Sequence, residues 1–373
     1  MKQDPALFFV EKLISSGVRV AAGVPDSLLG AFSAELDKNP TIKHIKAPNE
    51  GLALSVALGH QIATNEKSIV YLQNSGLGNL VNPYLSLFHI DVYNVPAFLV
   101  VGWRGQFPDN DEPQHRAQGR KTEAMLDLLD IQTFFLRSEL EIDSVIDHAM
   151  GVFEQGRSVA ILVSKGALGP PPSIEASGYT PEREDWVKCI KDSIDTRTFI
   201  VSTTGKTSRE LHELQTSEER KRTFYCIGGM GHASSIAAGI ANANPNQNIV
   251  CLDGDGAFQM HAGAVALIGS LKPHNLLHVL INNGVHESVG GQDITSASYD
   301  YLGIAASTGY ATVQRVSVVE ELSNLMPQLL NTAGPHFVLC ETSVAAPSEL
   351  GRPSGSPQEW IKDFKETINP HGT

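Results

Sequence analysis

Positive charge is scarce in this sequence. Its 373 residues carry 28 Lys and Arg against 41 Asp and Glu, a formal net charge of -13. Nucleic-acid binding draws on clustered cations, so a chain this acidic does not read as a DNA or RNA binder; a small anionic substrate met by a few local basic residues stays open. Cysteine is scarce too. The four, Cys189, Cys226, Cys251 and Cys340, show no C-x-x-C spacing, and a chain of this length needs no disulfide staples. A reducing cytoplasm fits. Long uninterrupted apolar runs are missing as well: the opening MKQDPALFFVEKLISSG has charges inside its apolar stretch, which predicts neither a secretory signal nor a membrane span.

What is present is a regular alternation. Hydrophobic residues make up 42% of the chain, enough for two domains and too many residues for one compact core. Short apolar runs, VRVAAGVP, IKHIKAP, SIVYLQNSG, PAFLVVGW and SVAILVSKG, recur between amphipathic segments in the first half, and TFIVSTTG, NIVCLDGD, LLHVLINNG and HFVLCET do so in the second. Strands that read as continuous apolar runs are those covered on both faces, so the fold class is α/β, with a parallel sheet flanked by helices in each half. GALGPPPSIEASGYTPERED, with three consecutive prolines, excludes both helix and sheet. The expected division is a first domain over 1–168, a linker over 169–185 and a second domain over 186–373. Most of the apolar runs end in Gly, Pro or Asn clusters, and ligands of open parallel sheets bind beyond the carboxyl ends of the strands.

The stretch GDGAFQMHAGAVALIGSLKPHNLLHVLINNG, Gly254 to Gly284, holds the strongest signal. NIVCLDGDG reads as a strand ending at Gly254, LLHVLINNG as one ending at Asn282, and the small-residue segment between them as one crossover helix stopped at Lys272 and Pro273. A right-handed βαβ unit brings Asp255 and Asn282 to one edge of the sheet on neighbouring strands. A carboxylate, an amide oxygen and the carbonyl of Gly284 form an all-oxygen set suited to Mg²⁺ and a diphosphate. GDG alone also reads as a tight turn and NNG as a β-turn; the spacing favours the metal.

These residues resemble the fingerprint of the thiamine diphosphate-dependent decarboxylases, and the resemblance covers both halves. It implies a pyrimidine-binding domain followed by a diphosphate-binding domain, with no middle domain, and thiamine diphosphate and Mg²⁺ as cofactors. The metal set it implies is Asp255, Asn282 and Gly284; Gly254, Gly256, Ala257 and His286 join the cofactor site. Such chemistry needs a shielded acid beside the pyrimidine ring. In HIKAPNEGLALSVALGHQIA that acid is Glu50, which also reads as a first-turn glutamate after an Asn49 cap. Met230 in GGMGHASS, with Gly229, matches the apolar prop of the cofactor. VSTTGKTSREL is not a phosphate-binding P-loop, because that motif needs Gly where Ile200 stands; Gly205 and Thr207 are expected to line the thiamine site instead.

Three further segments resemble the phosphonopyruvate decarboxylases within that family: GVPDSLL from Gly23, QNSGLGN from Gln73, and GWRG with DEPQH from Gly102 to His115. Asn74 and Gly76 join the cofactor site on this basis. The implied reaction converts 3-phosphonopyruvate to phosphonoacetaldehyde and CO₂ on a thiazolium ring that serves as the electron sink. Asp26 and His115 are the implied proton-handling residues, and Ser27, Arg104, His115 and Ser288 the implied substrate contacts. Asp26 also reads as a turn residue after Pro25, His115 as a solvated loop histidine, and Arg116, Arg120 and Lys121 as an exposed helix start. The family implies a homodimer or larger homo-oligomer. Sulfopyruvate decarboxylation, a thiamine diphosphate carboligase, or a non-catalytic nucleotide-binding regulator on the same sheets are the alternatives.

Overall fold

The computed structural model describes residues 4–108, 111–172, 181–287, 291–295, 298–344, 350–351 and 353–370. The chain divides into two compact units, Met1–Ile174 with His286–Thr295, and Glu175–Val285 with Ser296–Thr373. Of the expected linker, residues 173–180 lie outside the described residues.

The first unit is built on β1 (Val18–Gly23), β2 (Lys43–Lys46), β3 (Lys67–Gln73), β4 (Phe98–Gly102), β5 (Gln132–Leu136) and β6 (Val159–Val163). They form one sheet in the order β2-β1-β3-β4-β6-β5, every pair parallel. The second unit has β7 (Thr198–Ser202), β8 (Thr223–Tyr225), β9 (Asn248–Gly254) and β10 (Leu276–Asn282). After β11 (Val285–His286) and β12 (Gln292–Asp293), which pair with each other, come β13 (Thr312–Val316) and β14 (His336–Glu341). Its sheet runs β13-β14-β10-β9-β7-β8, again all parallel. Counted in their own chain order, the six strands of each sheet are arranged identically.

Each sheet is covered on both faces, as the continuous apolar runs require. In β3, Ile69 and Tyr71 join Phe9, Phe32 and Val100 on one face, while Val70 and Leu72 join Leu54, Leu80 and Leu99 on the other. In β9 the same two-residue period sends Ile249 and Cys251 one way and Val250 and Leu252 the other. All four cysteines are free thiols and buried. Among the described residues no helix is long and apolar enough to cross a membrane.

The short β11 and β12 escape the sequence reading, and within the two large sheets three strands escape it as well: β5, β8 and β13. Each lies at a sheet edge, where one flank faces no neighbour and polar residues are tolerated, so QTFFL, TFY and TVQRV carry too little apolar signal. The expected single crossover helix is also corrected. It is broken into Asp255–Met260 and Ala264–Leu271 by a turn over 261–263, where Gly263 gives the second helix its start. A further difference concerns residues 286–295, expected in the second domain. They belong to the first unit, where Asp293 lies 3.9 Å from Lys46 at the end of β2.

Strand order reverses between β1 and β3 in one sheet and between β7 and β9 in the other. Loops leaving neighbouring strands at such a point diverge and open a crevice at the carboxyl edge. Asp26, Asn74 and Gly76 follow β1 and β3; Gly205, Thr207 and Asp255 follow β7 and β9.

Candidate active site

In the first unit, β2 leads through Ala47, Pro48 and Asn49 into the helix Glu50–Thr64. The Asn49 side chain caps that helix by accepting from the Gly51 N–H at 2.8 Å. Glu50 is thus a first-turn glutamate, yet its side chain turns inward and is 4% exposed. One carboxylate oxygen accepts from Asn79 Nδ2 at 2.7 Å. The other lies over Gly76, where a Cβ would come within 2.1 Å of Oε1. Burial pushes the Glu50 carboxyl above its ordinary range, and the Asn79 bond only partly opposes this. The geometry suits an acid that shares a proton with a ring nitrogen.

Asp26 is fully buried at the tip of β1. Its Oδ2 accepts from the Leu28 N–H at 3.1 Å, an Asx turn, and Oδ1 has no hydrogen-bond partner. Burial raises this carboxyl to about 6 against the opposing charge of Arg104. Gly102 makes the room, since a Cβ there would sit 2.0 Å from Asp26 Oδ2.

Arg104 is bound differently from its expected role. Its Nε and Nη2 donate to the two oxygens of Asp111 at 2.8 and 2.7 Å, and Nη1 donates to Ser27 Oγ at 3.0 Å. The planar fork that would grip a phosphonate is closed on a carboxylate of its own loop. Against the effect of burial, that fork and the Glu112 N–H hold Asp111 well below the usual carboxylate range. Asn74, expected at the cofactor, has its amide engaged inside the unit: Oδ1 accepts from Arg104 N–H, and Nδ2 donates to Arg104 C=O and Thr122 Oγ1. It ties the loop after β3 to the loop after β4. His115 lies on the helix Pro113–Gly119, near enough for its charge to act on Asp111. Gly105, at φ +70°, lets that helix approach, because a Cβ there would meet the His115 carbonyl at 2.0 Å. Arg116, Arg120 and Lys121 are exposed, the helix-surface reading.

In the second unit, Asp255 opens the short helix after β9 and is 6% exposed. Its Oδ1 accepts from Gly256 N–H at 2.7 Å; its Oδ2 accepts from Gly284 N–H at 2.7 Å and Asn283 N–H at 3.1 Å. Burial pushes Asp255 up to about 6 despite those three donors, and nearby Asp253 adds to the rise. Asn282 ends β10 and gives its Nδ2 hydrogen to Glu341 at 2.8 Å, while its buried Oδ1 has no hydrogen-bond partner. A buried carboxylate beside an amide oxygen that no hydrogen bond occupies is a donor set that suits a hard divalent ion. Magnesium therefore fits these residues. Gly284 takes φ +74°, favoured by glycine. Gly205, at φ +86°, heads the helix Lys206–Leu214 with no side-chain cap, so its first N–H groups suit an anion such as diphosphate. Thr207 is buried in its first turn. In the GGMG turn, Gly229 and Gly231 have φ +69° and +83°, and Met230 is half-buried beside them. Ala257 is buried and its carbonyl abuts Gly231. Gly254 is extended, at φ -123°.

His286 was expected beside the metal residues in the second domain. It is counted instead with the first unit, where burial and then the Lys46 charge push its imidazole down to about 4. Ser288 lies outside the described residues. Sequence reasoning missed Asn79, Gly102, Asp111 and Glu341. Asn79 and Glu341 act on partners distant in the chain, Gly102 through the absence of a side chain, and Asp111 on an arginine of its own loop through a fold of that loop that no local spacing announces.

Comparison with known proteins bears on both halves. Residues 6–125 match the N-terminal TPP-binding domain of thiamine pyrophosphate enzymes, and residues 203–340 match the C-terminal TPP-binding domain. The chain is 32% identical to the phosphonopyruvate decarboxylase of Streptomyces viridochromogenes, over 98% of this chain and 95% of that protein. It belongs to the phosphonopyruvate decarboxylase family of thiamine pyrophosphate enzymes. A second member of the phosphonopyruvate decarboxylase family, from Streptomyces hygroscopicus, is 31% identical over 95% of this chain and 91% of its own. Beyond these, a sulfopyruvate decarboxylase from Methanosarcina acetivorans is 25% identical, covering 98% of both chains. The two thiamine diphosphate-binding domains of the phosphonopyruvate decarboxylase family, each a parallel sheet between helices, are the two units described above.

Proposed function

We propose that this protein decarboxylates 3-phosphonopyruvate to phosphonoacetaldehyde and CO₂, with thiamine diphosphate and Mg²⁺ as cofactors. The observation that carries the reading is Glu50: an acid buried against the amide of Asn79 at the head of its helix, in a domain matching the N-terminal TPP-binding domain. The full-length likeness to two phosphonopyruvate decarboxylases supplies the substrate.

Thiamine diphosphate, when bound, supplies a thiazolium ring that accepts the electron pair left by the departing CO₂. The residues of the chain do the rest. Glu50 holds a proton toward the pyrimidine and so sets its tautomer. Asp255, Asn282 Oδ1 and the Gly284 carbonyl hold the metal, and the helix opened by Gly205 takes the diphosphate. Asp26, whose carboxyl burial raises to about 6, holds at Oδ1 the proton that ends on the product aldehyde's carbon. His115, beside the same loop, is the second proton carrier. Two copies form the competent unit, as the family resemblance implies. Buried free thiols support a reducing cytoplasm.

The test is CO₂ release from phosphonopyruvate with and without thiamine diphosphate and Mg²⁺, run beside sulfopyruvate. Turnover should require both cofactors and favour the phosphonate in kcat/KM. A preference for sulfopyruvate would replace the substrate, and cofactor-independent turnover would remove the whole reading. Glu50→Gln should lower turnover by about 10²-fold or more with cofactor still bound.

A further inference from the structure

An amide side chain has almost the same shape whichever way it is turned, but only its oxygen can hold a hard cation. Something must decide which end of Asn282 faces the metal. Parallel pairing sets Asn282, at the tip of β10, beside Glu341 at the tip of β14. Their side chains meet at 2.8 Å, Nδ2 donating to Glu341 Oε2. A carboxylate only accepts hydrogen bonds, so it can bind the NH₂ end of the amide and not the oxygen. The other carboxylate oxygen, Oε1, lies 3.1 Å from Arg315 Nη1 on β13. The backbone holds both residues in place: Thr342 N–H donates to the Asn282 carbonyl at 2.9 Å, and Trp186 Nε1 donates to the Glu341 carbonyl at 3.0 Å.

We propose that Glu341 is a positioning residue that turns the Asn282 oxygen toward the metal, and that Arg315 steadies Glu341 in that task. The consequence is visible on the amide itself, whose Oδ1 is left buried and without a hydrogen-bond partner at the strand tip. Three consecutive strands of the sheet, β13, β14 and β10, thus carry a line of contacts from a partly exposed guanidinium to a metal ligand. Outer contacts of this kind fix ligand orientation and typically contribute 10- to 100-fold in metal affinity. The inference rests on the metal reading given above, and the test separates the two.

Full-length protein stripped of metal is titrated with Mn²⁺ in the presence of thiamine diphosphate, with free Mn²⁺ read by electron paramagnetic resonance. Glu341→Gln offers Asn282 a donor as well as an acceptor, so the amide can reverse; binding should weaken by about 10- to 100-fold, and at least as much as in Glu341→Ala. In an Asn282→Asp background both ends of the side chain are oxygen, and Glu341→Gln should then cost less than about 3-fold. Equal weakening in both backgrounds would mark a merely structural role and overturn the proposal, as would parent-like binding by Glu341→Gln. Should that variant fail to fold, Arg315→Met reads the same line of contacts: a loss of about 2- to 5-fold confined to the Asn282 background supports the proposal, and its absence overturns it. Asp255→Ala is the control. If it binds Mn²⁺ like the parent, the metal reading falls; if it loses binding while Glu341→Gln keeps it, only the orientation falls.

Discussion

At the scale of single residues, two glycines shape the first unit's acids. A Cβ on residue 76 would come within 2.1 Å of Glu50 Oε1 and 2.6 Å of its Cγ, so the buried carboxylate must turn aside. Gly76→Ala should lose about 1 to 3 kcal/mol in urea unfolding, while turnover falls by about 10²-fold because Glu50 is displaced. A parent-like rate would show that Glu50 works from another position. Asp26 yields a pH signature. Its carboxyl titrates near 6 in the fold against 3.8 in the open chain, so its contribution to stability is full below about 4 and is lost as pH rises through 6. Asp26→Asn should be more stable than the parent by roughly 2 to 3 kcal/mol at pH 8, a gain that shrinks toward pH 5, with activity impaired. The place of Glu50 was legible because a Pro-Asn turn before an alanine-rich helix marks the helix start; that Asn79, on the helix Leu77–Leu87, and Gly76 would close around its carboxylate was not, because a contact across 26 to 29 residues has no local pattern.

At the scale of elements, the residues of the proposed chemistry follow the strand tips. The central strands of both sheets could be read from the sequence, since burial on both faces writes an unbroken apolar run. The edge strands β5, β8 and β13 could not, for their exposed flank dilutes it. GDG and NNG were legible as a pair because the intervening crossover fixes their spacing, whereas the break at 261–263 was hidden by a small-residue stretch that suits one helix or two. Asp255 makes the tip of β9 sensitive to acid. Its burial raises the carboxyl to about 6, so protons compete with the ion below that pH. Mg²⁺ affinity measured by calorimetry with thiamine diphosphate should be level above pH 7 and fall by up to about tenfold per unit below 6. A flat profile down to pH 5 would show that another group holds the ion. The loop after β4 teaches the reverse lesson: Arg104 sits in a matching motif, yet its fork closes on Asp111, a partner that a string of letters does not single out.

At the scale of the whole molecule, the two units carry complementary groups: the acids Glu50 and Asp26 in one, and Asp255, Asn282 and Gly284, proposed above to hold the metal, in the other. If two copies combine them as proposed, mixing Glu50→Gln with Asp255→Ala protein should restore up to about a quarter of parent turnover, since half of random dimers are mixed and each holds one intact site. Mixtures as inactive as their components would place all the residues of one site on one chain. The division into two α/β domains was legible from the proline-rich break and the recurring runs. The membership of residues 286–295 was not, because a short segment that leaves its own sheet keeps no periodic pattern of its own.

The sealed cysteines have a practical use. All four belong to the second unit; burial pushes the Cys226 thiol up to about 12 and those of Cys251 on β9 and Cys340 on β14 well above the ordinary thiol range. A thiol-trapping reagent at neutral pH can reach Cys251 and Cys340 only while the strands part, so the rate of labelling counts the sheet's excursions from its closed form. The protein thereby carries its own clock for breathing at the strand that leads into Asp255 and the strand that ends at Glu341, and cofactor loading should slow it.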